Sequence, residues 1–332
     1  MQEQFRSEAE FLTWLRRRSG RKAAGMLVGI GDDAGLIRPK AGRELILTTD
    51  LSIEGVHFST RLHPPEAVGH RALARSLSDI AAMGGAPRFA LVALTLSRRT
   101  DRLWLEKFYG GIFRLARRFG VMLLGGDTAT KPGRTGGIAA DVVVVGDVAR
   151  GRALLRSGAR PGDAVFVAGT LGLAALGLRA LRSKLKNPAA ALRAHLYPEP
   201  QCALGQFLAE ERVASAAMDL SDGLSLDLAR LAAASGVGGC LWRDAIPTVK
   251  PGAMSAARGV TPLSLALNGG EDYKLLFTVP QRSLPRVPAI FDGVRLHRIG
   301  EICASARGIS LIGNNGKPRA LAAAGYDHFR RN

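Results

Sequence analysis

Six short phrases hold the residues able to do chemistry. They are Gly-Asp-Asp at 31–33, Thr-Thr-Asp at 48–50, Ser-Asp at 78–79, Gly-Gly-Asp-Thr at 125–128, Asp-Leu-Ser-Asp-Gly at 219–223 and Asn-Gly-Gly-Glu-Asp-Tyr at 268–273. Carboxylates brought together on one site repel one another unless a cation sits among them. Oxygen ligands from carboxylates and hydroxyls suit Mg²⁺, whose usual companion is a polyphosphate. Glycines beside the acids let backbone N–H groups approach phosphate oxygens. Taken singly, each phrase is an ordinary turn or helix cap. Taken together, they read as a Mg-nucleotide enzyme.

The elements that must position these acids follow from apolar spacing. Phe5, Phe11, Leu12 and Leu15 recur at near-helical intervals, with Ser7 and Glu10 spaced as a capping box. Residues 43–49 read as a strand that delivers Asp50 at its end. Residues 64–83 read as a helix stopped by Gly84-Gly85, 89–96 as a strand, and 101–119 as an amphipathic helix. Residues 121–124 form a strand running into Gly125-Gly126-Asp127, and 138–148, with four consecutive valines, a strand of a covered sheet. A boundary falls in the Arg- and Gly-rich segment 150–163. Beyond it come a strand at 164–168, a helix at 171–184, a loose stretch at 187–200 and a helix at 201–211. A further helix runs to about Ala234 with Asp222 as its cap, then a strand at 275–279 and an irregular, glycine-containing tail. Strands alternating with helices in both halves imply α/β (α+β) architecture with domains at 1–149 and 150–332.

At this point the chain resembles the thiamine-monophosphate kinase family. The superfamily also holds aminoimidazole ribonucleotide synthetase, selenophosphate synthetase and a hydrogenase-maturation protein. The shared phrases are Gly29-Ile-Gly-Asp-Asp-Ala34, Thr48-Thr-Asp50, Ile53-Glu-Gly-Val-His-Phe58, Leu77-Ser-Asp-Ile-Ala-Ala-Met-Gly84, Gly125-Gly-Asp-Thr128, Gly151-Arg-Ala-Leu-Leu-Arg-Ser-Gly158, Asp219-Leu-Ser-Asp-Gly223, Gly269-Gly-Glu-Asp-Tyr273 and Gly325-Tyr-Asp-His-Phe329. The phrases at 53–58 and 325–329 are the ones most particular to the kinase. The resemblance implies a two-domain aminoimidazole ribonucleotide synthetase-like fold. Its N-terminal domain binds ATP and Mg²⁺ and joins a second copy in a dimeric β-barrel. Its C-terminal α/β domain completes the nucleotide and substrate sites. The implied activity is ATP-dependent phosphorylation of thiamine monophosphate to thiamine diphosphate, in line, with several Mg²⁺ ions and no catalytic side chain of its own. The implied metal ligands are Asp33, Thr48, Thr49, Asp50, Asp79, Asp127, Asp219 and Asp222. The nucleotide contacts are Tyr109, Gly126, Asp127, Arg156 and Ser221, and the substrate contacts His57, Glu271 and Tyr326.

The chain departs from the family pattern in three places. Arg75-Ser76 replace the usual Val-Asn, Ser52 replaces a bulkier apolar residue, and Ala322–Ala324 replace an aromatic or basic residue. Arg75 stands one turn before Asp79, and the expectation is that its side chain points outward. The runner-up readings are an aminoimidazole ribonucleotide synthetase-like enzyme and a non-catalytic basic protein that binds nucleotide or nucleic acid. The absence of cysteine before Cys202 speaks against a selenophosphate synthetase, and the ending Arg330-Arg331-Asn332 against the hydrogenase-maturation protein. No Gly-x-x-x-x-Gly-Lys-Ser/Thr occurs, which speaks against a P-loop kinase.

Composition bounds the rest. The 332 residues are 47% hydrophobic and 22% charged, ordinary for a globular chain. No apolar run approaches the roughly 18–20 residues of a membrane span, and residues 1–21 lack a signal-peptide pattern, so the expected location is the cytoplasm. Cys202, Cys240 and Cys303 have neither disulfide nor zinc spacing and read as buried bystanders. The net charge of +18 is spread over short arginine clusters with few aromatics between them. That is no nucleic-acid stripe, although the field would attract anionic substrates.

Overall fold

The computed structural model describes residues 5, 7–20, 23–98, 100–131, 137–183, 189–250, 260–304 and 308–325. The chain divides into two compact units, one of residues 1–80 with 86–151, the other of 81–85 with 152–332.

The first unit opens with α1 (Glu8–Ser19), where Ser7 Oγ accepts from Glu10 N at 3.2 Å. The Glu10 carboxylate meets Arg102 at 3.0 Å. A short hairpin of β1 (Met26–Val28) and β2 (Leu36–Ile37) precedes β3 (Arg43–Ile53), α2 (Pro65–Ala82) and β4 (Ala86–Ser97). Then come α3 (Arg102–Arg118), β5 (Met122–Lys131) and β6 (Ala139–Ala149). Strands β3, β6, β4 and β5 form one sheet in that order, antiparallel except for the β4/β5 pair. Helix α2 lies on the inner face, where Ser76 Oγ donates to Val142 O at 2.7 Å. On the outer face Phe89, Leu124 and Val145 gather Met26 and Ile37 of the hairpin around them.

Two strand boundaries differ from the expectation, and both differences bear on the acids. Strand β3 does not end before Asp50, because pairing with β6 continues to Ile53 opposite Ala139. Strand β5 does not stop at Leu124, because it runs beside β4 as far as Lys131. The partner strands carry on past the acids, so the ladder carries on with them.

The second unit begins with β7 (Ala164–Ala168), α4 (Leu173–Ser183), α5 (Ala189–Leu196) and α6 (Cys202–Glu210). Next come β8 (Ala216–Asp219), α7 (Leu224–Ser235), β9 (Gly238–Trp242), α8 (Pro262–Asn268) and β10 (Leu275–Val279). The last strands are β11 (Ile290–Phe291), β12 (Val294–Cys303), β13 (Ile309–Ile312) and β14 (Pro318–Ala320). The sheet order is β14-β13-β9-β12-β7-β10-β8, with β11 paired to β12 and only β13/β9 parallel. Its core packs Val165, Val167, Met218, Leu241, Leu276 and Ile299 against Leu224, Leu228 and Leu231 of α7.

Two readings of this half are corrected. The stretch at 187–200 contains α5, an alanine-rich helix of good intrinsic propensity. The tail is not irregular, since β12 lies inside the sheet between β9 and β7. Its alternation is broken by a register shift between Arg298 and Gly300, which hides the strand period. Cys240 and Cys303, distant in sequence, bring their sulfurs to 3.0 Å across β9 and β12. Among the described residues no helix is long and apolar enough to cross a membrane.

Candidate active site

In the first unit the sheet register sorts the acids. Side chains alternate along a strand, so Thr48, Asp50 and Ser52 of β3 face α2 while Thr49 and Leu51 face outward. On the helix side, Thr48 Oγ1 donates to the Asp79 carboxylate of α2. Asp50 lies opposite Val142. Its carboxyl is pushed up to about 6, chiefly by burial; Arg75 opposes the shift, and the negative charges of Asp79 and Asp141 add to it.

Arg75 corrects the outward reading. Its Nη2 lies 3.3 Å from Asp50 Oδ1, and its Nη1 donates to Leu51 O at 3.3 Å and to Ser52 Oγ at 3.4 Å. A partly buried carboxylate with acidic neighbours attracts whatever cation can reach it, and the helix puts Arg75 within reach.

On the outer face one row runs Leu51, Asp141, Ala93, Asp127 across β3, β6, β4 and β5. Asp127 and Asp141 thus flank a small, exposed alanine, roughly two strand spacings or ~10 Å apart. Thr49 Oγ1 donates to Asp141, and Asp127 Oδ1 accepts from Thr128 N at 2.8 Å. Asp141 is an acid that sequence reasoning missed. Its only signal is a lone charge opening a run of valines. Asp33 sits in an exposed turn where its N–H donates to Asp32 Oδ1 at 2.9 Å.

Tyr109 is buried among Phe11, Trp14, Phe108 and Phe113. Burial raises its hydroxyl pKa, opposed by a hydrogen bond with Thr128, the neighbour of Asp127. A cavity of about 530 Å³, lined by Phe11, Leu96, Arg98, Leu105 and Thr128, opens in this unit. That volume is in the range of small-molecule sites. His57 Nδ1 accepts from Ile53 N at 3.1 Å, which puts the proton of the neutral ring on Nε2. The loop around it is tied down by Glu54, whose carboxylate accepts from Thr60 and from Ile138 N at 3.0 Å.

In the second unit, two loops are laced together by their backbones. Glu271 N donates to Ser221 O at 2.7 Å and Tyr273 N to Leu220 O at 2.8 Å. A Cβ on Gly270 would stand 2.6 Å from Ser221 O, so the approach requires glycine there. Glu271 and Tyr273 both hold positive φ, +68° and +48°, a strained backbone of the kind that surrounding structure must enforce. Part of that enforcement is Asp272, buried, whose carboxylate accepts from Gly172 N at 2.5 Å and Ala174 N at 3.1 Å and so caps α4 from a distance. Burial pushes its pKa up to about 6. Glu271 Oε2 stands 3.5 Å from Nδ1 of His195, a fully buried residue of α5 that no sequence motif marked.

Asp219 ends β8 and is buried. Asp222 is not the cap of α7. Gly223 is, and the N–H groups of Asp222 and Gly223 donate instead to buried Asp227 at 3.0 and 3.1 Å. Asp222 is thereby left to pair with Arg230, which also meets Asp227 at 3.0 Å. Arg156 lies in an exposed loop, and its carbonyl accepts from Ser235 Oγ at 2.8 Å. Tyr326 lies outside the described residues.

The structure therefore brings Thr48, Asp50 and Asp79 together on one sheet face, and Ser221 beside Glu271. It sets Thr49 and Asp127 on the opposite face. Among the described residues no three His, Cys, Asp or Glu side chains stand close enough to hold a metal ion by themselves. The donor set around Asp50 is still all oxygen, with the carboxylates of Asp79 and Asp141 acting on it beside Arg75. Such a set fits Mg²⁺.

Residues 31–148 match the family described as AIR synthase related protein, N-terminal domain, and residues 160–312 its C-terminal domain. The chain is 37% identical over 308 residues to a Salmonella typhimurium protein named thiamine-monophosphate kinase, covering 91% of each. The crystal structure of the thiamine-monophosphate kinase from Stenotrophomonas maltophilia superposes with a TM-score of 0.80 at 34% identity, over 92% of this chain and 96% of that one. A structure described as AaThiL complexed with AMPPCP and TMP superposes with a TM-score of 0.76 at 31% identity, over 97% of both.

Proposed function

The chain belongs to the thiamine-monophosphate kinase family of AIR synthase related proteins, and we propose that it is a cytoplasmic enzyme that transfers the γ-phosphoryl group of ATP to thiamine monophosphate. The observation that carries this reading is the match along nearly the whole of a chain solved with AMPPCP and TMP. AMPPCP mimics ATP, so the pair stands for both reactants. An oxygen of the substrate's phosphate attacks the γ-phosphorus, the bond to the β,γ-bridging oxygen breaks, and ADP leaves with thiamine diphosphate as product. The phosphate nucleophile is already anionic near neutral pH and needs no strong base. The barrier is repulsion between two anions.

Bound Mg²⁺ would neutralise and align the phosphoryl oxygens. Asp33, Thr48, Thr49, Asp50, Asp79, Asp127, Asp219 and Asp222 are proposed to hold several such ions, with Thr48, Asp50 and Asp79 on one face of the first sheet and Thr49 and Asp127 on the other. Thr48 and Thr49 orient the carboxylates of Asp79 and Asp141 by donating to them. Tyr109, Gly126, Asp127, Arg156 and Ser221 are assigned to the nucleotide. Tyr109 acts through Thr128, since its ring is enclosed in the core. His57, Glu271 and Tyr326 are assigned to thiamine monophosphate, with His195 positioning Glu271.

Pure protein incubated with Mg-ATP and thiamine monophosphate is expected to yield thiamine diphosphate and ADP one for one, resolved by chromatography. ATP consumption without thiamine diphosphate would reject the assignment.

A homodimer is part of the proposal. Leu45, Leu47 and Leu51 of edge strand β3 all point outward and are 43%, 68% and 48% exposed. An apolar edge of this kind calls for a cover, and a second copy of the same sheet supplies one. Sedimentation at micromolar concentration should show a dimer; a single monomeric species would reject it.

A further inference from the structure

Two of the chain's departures from its family phrases are partners in space. Arg75 projects from α2 four residues before Asp79, so the two share a helix face. Its guanidinium is divided between Asp50 Oδ1 at 3.3 Å and the Leu51 carbonyl and Ser52 hydroxyl at 3.3 and 3.4 Å. All three acceptors lie on β3, and the arginine side chain is only 13% exposed. A bulkier apolar residue at position 52 would fill this space and offer no acceptor. Ser52, itself buried, does both jobs that the guanidinium needs.

We propose that Arg75 is a resident counter-ion of the Asp50 carboxylate, supplying permanently part of the positive charge that a divalent cation supplies when bound. It engages one carboxylate oxygen and opposes an incoming cation, so Asp50 binds Mg²⁺ more weakly than the same carboxylate would alone. In exchange, β3 and α2 stay joined at their most acidic point when metal is scarce. Arg75 is a positioning residue here, acting on substrate only through Asp50. The inference rests on the reading of Asp50 as a metal ligand.

Magnesium binding to the nucleotide-free full chain, followed by calorimetry, tests it alongside melting curves in EDTA and in saturating MgCl₂. Arg75→Met keeps the stem and removes the charge. It is expected to bind Mg²⁺ at least about tenfold more tightly than the parent, from the loss of one unit charge a few ångströms from the ion. It should melt below the parent in EDTA and regain the parental midpoint in Mg²⁺. Arg75→Lys keeps the charge and should stay within about threefold of the parent's affinity. Unchanged Mg²⁺ affinity in Arg75→Met overturns the inference. So does an Arg75→Met protein that fails to fold even with Mg²⁺, because the divalent ion is then no substitute for the guanidinium. Equal tightening in Arg75→Lys also overturns it, since charge is then not the cause. Asp50→Asn separates the two levels of the argument. If it binds Mg²⁺ like the parent, the ligand assignment fails. If it loses Mg²⁺ while Arg75→Met matches the parent, only the counter-ion role fails.

Discussion

Replacing Asp127 with Asn is expected to cut turnover of Mg-ATP and thiamine monophosphate by about 10²–10³-fold, the range seen when one preorganised electrostatic contact to a reacting group is lost. The fold should survive. Asp127 is exposed on the outer sheet face, and the hydrogen bond it makes, from Thr128 N at 2.8 Å, can be accepted by an amide oxygen. What disappears is one negative charge from a shell that must gather Mg²⁺ around two anionic phosphates. Asp50→Asn should also lose turnover but for a mixed reason. That carboxylate is partly buried and packed against Arg75, and neutralising it leaves a guanidinium facing an amide. A lowered melting midpoint for Asp50→Asn beside an unchanged one for Asp127→Asn is the expected contrast. Turnover by Asp127→Asn within a few-fold of the parent at saturating Mg²⁺ would remove Asp127 from the metal shell.

That contrast shows what the sequence made legible. The acids were visible because glycines and hydroxyls flank them, and those neighbours reflect local backbone demands that a sequence displays directly. Their grouping was not visible, because it depends on which strand lies opposite which. Thr48, Thr49 and Asp50 are consecutive, yet the pleat sends Thr49 to the outer face beside Asp141, a residue 92 positions away. Nothing local marks His195 or Asp227, and Asp141 shows only as a lone charge before valines, since each acts through a partner distant in the chain or by replacing an expected cap. Arg75 was misread for the same reason. Helical spacing fixed its face relative to Asp79, but the acceptors that draw it inward lie on β3. The C-terminal strands were overlooked because a register shift in β12 breaks the alternation that identifies a strand.

Gly126→Ala is expected to destabilise the N-terminal unit by about 3–5 kcal/mol, the sum of overpacking against backbone and a strained left-handed conformation. Gly126 has φ +150°, and a Cβ there would stand 1.9 Å from Val92 O and 2.6 Å from Val92 C. Both obstacles are backbone of the adjacent parallel strand, so no side chain can swing aside. Just before it, β5 carries one residue more than β4: Ala90 pairs with Leu123 but Leu91 with Gly125. The extra residue, Leu124, joins Leu123 in being buried, and the bulge reverses the alternation for everything that follows. Asp127 faces outward with Asp141 only because of that reversal. An alanine at 126 must either push β5 off β4 or slip the register, and the slip would turn Asp127 toward the helices. The loss is a large part of the ~5–15 kcal/mol that stabilises a typical domain, so soluble yield should fall and the urea midpoint drop sharply. Gly110→Ala in α3 is the control, since nothing lies within 4 Å of the added methyl. There the midpoint should hold or rise, because alanine is favoured over glycine inside a helix by about 1 kcal/mol. A Gly126→Ala protein with parental midpoint and parental turnover would mean that the bulge does not set the direction of Asp127.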